Sequence, residues 1–97
     1  MKTPEEQEKM DGSPALIDQE HIHIKFQLGP VKEAGVNGCQ VDDILDILIA
    51  RMQGFQRGPF NSREGALVVT RLQEAQHWLR HRTLDREARG VEGQNKA

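Results

Sequence analysis

The chain has 97 residues, a formal net charge of −2, 36% hydrophobic residues and a single cysteine. This length allows one domain with a small core, and one cysteine excludes an internal disulfide. No apolar run reaches the roughly 18 residues of a membrane span, and no cysteine or histidine cluster has zinc spacing. We expect no signal peptide, because the first residues are polar and acidic. The expectation is a soluble cytoplasmic protein that gains stability by oligomerisation.

Charge is distributed unevenly along the chain. Residues 1–50 carry four Lys or Arg against ten Asp or Glu, whereas residues 51–97 carry nine against five. This separation indicates either an anionic ligand at the basic end or self-association that brings the two halves together.

Residues 1–14 are charged and show no apolar periodicity, so they are predicted to form a disordered tail. The remaining residues, 15–97, are expected to form a single domain. It comprises a strand and loop region over 15–39, a helical hairpin over 40–90 and a tail over 91–97.

Alternation of apolar and polar residues predicts a half-buried strand from His21 to Leu28. Its buried face is expected to carry four apolar side chains: Ile22, Ile24, Phe26 and Leu28. The following segment, from Val31 to Cys39, is predicted to be a turn or loop. It contains three residues that tolerate positive φ: Gly35, Asn37 and Gly38.

A first helix is predicted to begin near Asp42. Apolar residues recur there at steps of three and four: Val41, Ile44, Leu45, Leu48, Met52 and Phe55. Asp42, Asp43 and Asp46 fall in the first turns, where carboxylates suit the positive end of the helix dipole. Ile47 and Ile49 widen the apolar surface beyond one stripe, so this helix needs more than one packing partner.

A second helix is predicted after the break Gln56-Arg57-Gly58-Pro59, with Asn61 as its N-cap and Glu64 completing a pattern that resembles a capping box. Gly90 and Gly93 are its stop signals. The short connection favours an antiparallel hairpin. The predicted fold is therefore mainly α with a small β element: one or more N-terminal strands followed by an antiparallel two-helix hairpin, in an oligomer.

Three groups of reactive side chains have simpler structural explanations. His21 and His23 share a strand face without a third ligand, so a polar edge explains them better than a metal site. Helix capping explains the aspartates of the first helix. Cys39 has no basic neighbour in sequence and is expected to be a small buried residue. No metal, cofactor or catalytic residue is therefore expected.

Arginines are the strongest candidates for ligand binding. Arg63 lies in the first turn of the second helix, where free N–H groups favour an anion and the guanidinium matches a phosphate. Arg71, Trp78 and Arg82 share one helix face, which can hold a phosphate and stack a purine. Arg89 lies in the C-terminal segment DREARGVEG, just before Gly90.

The basic series continues through Arg86, and Gly90 allows backbone to approach a ligand or a neighbouring subunit closely. A different explanation fits the same residues. In it, Arg71, Arg80 and Arg82 form a solvated face that pairs with acidic neighbours such as Glu74. Trp78, taken alone, is better explained as a core or subunit-interface residue.

The sequence SREGALVVTRLQEAQHWLRHR, preceded by a strand, a first amphipathic helix and a break, resembles the hairpin domain of phage anti-defence sponges. These small proteins sequester cyclic-nucleotide alarm signals of bacterial CBASS and Thoeris immunity. The resemblance covers about Gly58 to Gly93 in residues, chiefly the Glu74-Ala75 and Trp78-Leu79 pairs, and the N-terminal part in layout.

The resemblance implies a non-enzymatic homo-oligomer, hexameric in the family, that acts in the host cytoplasm during phage infection. Family members hold cyclic dinucleotides, cyclic trinucleotides or cyclised ADP-ribose in pockets between protomers without cleaving them. The predicted strand makes the chain resemble the Thoeris-directed branch more closely. A stacking aromatic residue in the pocket would come from a phenylalanine, and Phe60 is included as a candidate. Lys25 is the alternative if the arginines make no contact.

Two other functions compete with the sponge. One is a small phage nucleic-acid-binding regulator that uses the arginine-rich helix, although the net charge of −2 disfavours it. The other is an adaptor whose apolar helix and tryptophan serve only subunit contacts.

Overall fold

The structure, a computed structural model, describes residues 14–90. In chain order the elements are β1 (Leu16–Asp18), β2 (His23–Lys25), α1 (Val31–Ala34), α2 (Val41–Arg57) and α3 (Arg63–Ala88). The mainly helical fold with a small N-terminal sheet was predicted from the sequence and is confirmed. The predicted tails at 1–14 and 91–97, and the stop signal Gly93, lie outside the described residues except for Pro14.

The chain divides into two compact units, whose described parts are residues 14–40 with 86–90, and Val41–Asp85. We refer to them as the sheet unit and the hairpin unit. None of the helices within residues 14–90 is long and apolar enough to cross a membrane.

In the sheet unit, β1 and β2 pair antiparallel, with Ile17 opposite Ile24 and Asp18 opposite His23. The predicted strand from His21 to Leu28 is too long. A tight turn between Gln19 and Ile22, closed by a 2.8 Å backbone hydrogen bond, takes up its first residues. Ile22 is therefore 46% exposed instead of buried.

Beyond β2, the chain pairs with a distant segment of the loop. Phe26 forms a parallel bridge with Cys39, whose N–H donates to the Lys25 carbonyl oxygen at 2.8 Å. Gly38 makes this approach possible, since a Cβ there would lie 2.7 Å from that oxygen. Of the three residues in this loop that tolerate a positive φ, only Gly35 has one, at 73°; Asn37 and Gly38 do not.

The side-chain amides of Gln27 and Asn37 stabilise this loop by hydrogen bonds to its backbone. Asn37 Oδ1 accepts from the Leu28 N–H at 2.8 Å, and its Nδ2 donates to the Leu28 carbonyl oxygen at 2.8 Å. Gln27 Oε1 accepts from the Asn37 N–H at 2.9 Å, and its Nε2 donates to the Gly35 carbonyl oxygen at 2.8 Å. Side chains thus supply hydrogen bonds that a regular strand pairing would otherwise provide. The predicted loop also contains α1, which the sequence analysis missed.

The hairpin unit consists of α2 and most of α3. Asp42 and Asp43 lie in the first turn of α2, as predicted. Gln56 contacts Ser62 across the turn, and Gln76 Nε2 donates to Asp46 Oδ1 at 2.6 Å further along, so the two helices run antiparallel. The predicted antiparallel hairpin is confirmed.

The N-cap of α3 differs from the prediction by one residue. Ser62 Oγ accepts from the Gly65 N–H at 2.9 Å, so Ser62 and not Asn61 caps the helix. The reason is that Gln56 already holds the Ser62 backbone, which fixes where the helix can begin. At the other end, Gly90 has φ 72° and the helix stops at Ala88, as expected.

Few apolar side chains are fully buried in the part of the chain that the structure describes. Among residues 14–90, only Ala15 and Ile49 are buried apolar residues. On α2, Ile47 is 64% exposed and Leu48 44% exposed, which agrees with the prediction that this helix carries apolar residues on more than one side. Other large apolar side chains that stay exposed are Leu16, Ile22, Val31, Val36, Val41, Phe60, Leu67, Val68, Trp78 and Leu84.

Candidate functional site

The exposed face of α3 that carries Arg71, Trp78 and Arg82 is the first candidate, and we refer to it as the arginine–tryptophan face. The Trp78 side chain is 61% exposed, so the indole is accessible in the protomer. Arg71 Nη1 lies 3.2 Å from Glu74 Oε2, which confirms the pairing expected for a solvated helix face. Arg82 forms no ion pair with any residue of the described part of the chain. Its guanidinium is therefore the more available of the two.

Two histidines flank the indole. The ring centroids of His77 and Trp78 are 5.6 Å apart, those of Trp78 and His81 are 5.7 Å apart, and both pairs meet edge to face. Edge-to-face packing is favourable because it sets the positive edge of one ring against the negative face of another. The sequence analysis named Trp78 but missed both histidines.

Phe60 and Arg63 lie at the turn end of the hairpin. The Phe60 ring is 76% exposed and meets the Phe55 ring edge to face at 6.4 Å. Arg63 is the first residue of α3, is exposed, and makes no ion pair within residues 14–90. At 1.5 Å rise per residue, Arg63 and Arg82 are about 28 Å apart along the helix. One cyclic dinucleotide cannot contact both in the same protomer.

The remaining predicted residues belong to the sheet unit. Lys25 is exposed at the last position of β2, and Arg89 is exposed just beyond α3. Arg86 is only 6% exposed, which favours a structural role and leaves ligand contact by Arg86 a prediction. At Gly90 a Cβ would meet no atom within 4 Å, so its backbone faces open space.

A polar groove of about 520 Å³ lies between α2 and α3 in the hairpin unit. Its lining residues are Asp42, Asp46, Gln73, Gln76, His77, Arg80 and Thr83. Arg80 and Arg82 are two positions apart and so point about 200° apart around the helix. The groove therefore opens on a different side of α3 from Arg82. The volume falls within the range of small-molecule sites.

The sequence analysis did not find this groove. Its residues on α3 recur at steps of three and four, a spacing that is equally typical of the solvated side of a helix. A second, smaller cavity of about 400 Å³ lies at the turn end of the same unit, lined by Gln53, Gln56, Arg57, Ala66 and Val69. Both cavities are lined partly by amide and charged groups, which can hydrogen-bond a polar ligand.

Comparison with known proteins identifies the family of this chain. The family described as Acb2/Tad1, hairpin domain, matches residues 18–84, which includes part of β1, all of β2 and most of the hairpin. The match extends further towards the N-terminus than the resemblance seen in the sequence alone. Thoeris anti-defense 1 of Bacillus phage SBSphiJ7 is 51% identical over 70 residues, covering 72% of this chain and 49% of that protein. The chain thus spans about half the length of this curated relative. It belongs to the Acb2/Tad1 hairpin domain family.

Proposed function

We propose that this chain is a phage anti-immunity protein that binds cyclic nucleotide signals of bacterial defence in the host cytoplasm and holds them without cleaving them. The observation that carries the proposal is the family match over residues 18–84 together with 51% identity to a protein named for its action against Thoeris. The ligand class comprises cyclic dinucleotides, cyclic trinucleotides and cyclic ADP-ribose isomers.

The exposed groups on α3 fit such a ligand chemically. Cyclic nucleotides combine phosphates with purine rings. Arg63 and Arg82 offer exposed guanidinium groups without an ion-pair partner among residues 14–90, and Trp78 offers an accessible ring. Guanidinium binds phosphate through two parallel hydrogen bonds, and an aromatic face stacks a base.

Assembly completes the proposal. With two buried apolar residues in the described chain and Ile47 and Leu48 exposed, a single protomer leaves much apolar surface in water. We therefore include a homo-oligomer, a hexamer by resemblance, with pockets between protomers. This also resolves the separation of Arg63 from Arg82, because the two ends of α3 in different protomers can meet at one ligand.

Native mass spectrometry tests the proposal directly. The protein is mixed with a panel of cyclic dinucleotides, cyclic trinucleotides and cyclic ADP-ribose isomers, together with linear dinucleotides as controls. The expected result is an oligomer that gains the mass of at least one cyclic ligand and ignores its linear counterpart. Binding of no cyclic compound, combined with a salt-dependent shift of duplex DNA, would instead support the nucleic-acid-binding regulator.

A further inference from the structure

His77 and His81 stand one helical turn apart on α3, in the sequence His77-Trp78-Leu79-Arg80-His81. Residues four apart on a helix lie on the same face with their Cβ atoms about 5 to 6 Å apart. This is the spacing at which two imidazoles on one helix bind a single zinc ion in known metal sites. Both side chains are exposed, so an ion can reach them from solvent.

The imidazole nitrogens of this pair are available. Within residues 14–90, His77 and His81 make ring contacts with Trp78 and no hydrogen bond or ion pair. The other two histidines differ, because His23 Nδ1 lies 2.6 Å from Asp18 Oδ1 and His21 Nε2 lies 3.6 Å from Glu20 Oε1. Within residues 14–90, the ring nitrogens of His77 and His81 have no protein partner, whereas His21 and His23 each place one ring nitrogen near a carboxylate.

Contact with Trp78 also limits the motion of both rings. Each imidazole packs edge to face on the same indole, at 5.6 and 5.7 Å between centroids. A side chain that is already restrained loses less conformational entropy when it binds an ion. Packing on Trp78 should therefore give this pair a higher metal affinity than two unrestrained surface histidines would have.

We propose that His77 and His81 form a two-histidine clamp for a divalent transition-metal ion such as Zn²⁺ or Ni²⁺. Imidazole suits these ions, whereas Mg²⁺ and Ca²⁺ prefer oxygen ligands. Within residues 14–90, no three His, Cys, Asp or Glu side chains are grouped to enclose a metal. The clamp therefore supplies two ligands and leaves the other coordination positions to water or to an incoming ligand.

An ion held there would add two positive charges to the part of α3 that bears Trp78. A bound cation is often the largest local charge in a site. This inference stands apart from the proposed function, since metal binding by the clamp requires no cyclic nucleotide.

Trp78 fluorescence provides the test, because Trp78 is the single tryptophan of the chain and touches both rings. The full chain is titrated with Ni²⁺, which quenches nearby indole emission, and then with Zn²⁺ as a competitor. We expect saturable quenching that Zn²⁺ relieves and Mg²⁺ does not. His77→Gln and His81→Gln should each raise the half-saturating Ni²⁺ concentration at least roughly tenfold, since loss of even an outer-shell partner costs 10–100-fold in affinity.

Two matched variants control for other metal ligands. The double variant His21→Gln/His23→Gln and the variant Cys39→Ser should both retain the wild-type titration. In addition, Ni²⁺ should raise the melting temperature of the wild type, followed by circular dichroism, and leave that of the His77→Gln/His81→Gln variant unchanged. Wild-type emission that millimolar Ni²⁺ leaves unchanged, or quenching that survives in the double variant on α3, overturns the clamp.

Discussion

The side-chain amide of Gln56 forms two hydrogen bonds with the backbone of Ser62. Its Nε2 donates to the Ser62 carbonyl oxygen at 2.8 Å, and its Oε1 accepts from the Ser62 N–H at 3.1 Å. Ser62 in turn caps α3 through Gly65. The end of α2 is thereby tied directly to the start of α3, and this connection sets the geometry of the hairpin on which the candidate ligand-binding arginines lie.

The first prediction concerns this connection. Gln56→Ala removes both hydrogen bonds and should lower the free energy of unfolding by about 1 kcal/mol, because hydrogen bonds at an exposed position contribute at the low end of their range. Urea unfolding followed by circular dichroism measures the change. Gln53→Ala is the matched control, because Gln53 is a half-buried glutamine one turn earlier on α2, and this substitution should cost less. An equal decrease in the free energy of unfolding for the two variants would show that the hydrogen bonds between Gln56 and Ser62 add no specific stability.

A second prediction compares two helical glycines. A Cβ at Gly65 would overlap the fixed Gln56 amide, whereas a Cβ at Gly54 would meet no atom within 4 Å. Alanine normally stabilises a helix relative to glycine by about 0.5 to 1 kcal/mol. We therefore expect Gly54→Ala to raise the melting temperature and Gly65→Ala to lower it. Stabilisation by both substitutions would show that the Gln56 side chain can move away from residue 65 at little energetic cost.

Much of the hairpin could be predicted from sequence because its signals are local. Apolar steps of three and four residues, and a Gly-Pro break after Arg57, mark both helices. β1 was missed since its three residues are too few to show alternation. The hydrogen bonds between Gln27 and Asn37 connect residues ten apart, and no local propensity encodes such a partner.

The candidate site was less predictable, because it too depends on contacts between residues that are distant in sequence. Sequence periodicity correctly grouped Arg71, Trp78 and Arg82 on one face, since that follows from helix geometry alone. It could not show that Arg86 is buried at 6% exposure, because burial depends on what packs against the last turn of α3. The four-residue spacing of His77 and His81 is a local signal that can be read from the sequence.

The third prediction addresses assembly. Leu48 is 44% exposed in the protomer, so Leu48→Ala should alter an isolated chain little. If a second copy covers this side of α2, the same substitution should cost about 2 to 5 kcal/mol, as for a buried leucine, and shift the oligomer towards smaller species. Sedimentation velocity over a range of concentrations measures this. Val36→Ala, 81% exposed on the loop, should leave assembly unchanged. A wild-type monomer at micromolar concentration would remove the premise.

The fourth prediction ranks the arginines. Hydrogen bonds to charged groups contribute roughly 1.5 to 3 kcal/mol, so Arg63→Ala and Arg82→Ala should each weaken binding of the cyclic ligand by tens of fold. Arg71→Ala should weaken it less, because Arg71 already pairs with Glu74. Titration calorimetry gives the affinities, and Lys32→Ala on α1 is the control for a simple loss of charge. Unchanged affinity for all arginine variants would show that the pocket does not include these arginines, and Lys25 would become the next candidate.

The last prediction is that the ligand leaves chemically unchanged. Hydrolysis of a phosphodiester or glycosidic bond requires an activated water with a positioned base or a metal. Sequestration requires only affinity and enough copies of the protein. Heating the complex should therefore release a ligand with its original mass and chromatographic retention, still able to activate its effector. The incubation is repeated with added Zn²⁺ and with His77→Gln/His81→Gln, so that any metal-dependent cleavage at the clamp is detected. A shortened or linear product that accumulates with time, and that a single substitution in the protein abolishes, would make this chain an enzyme.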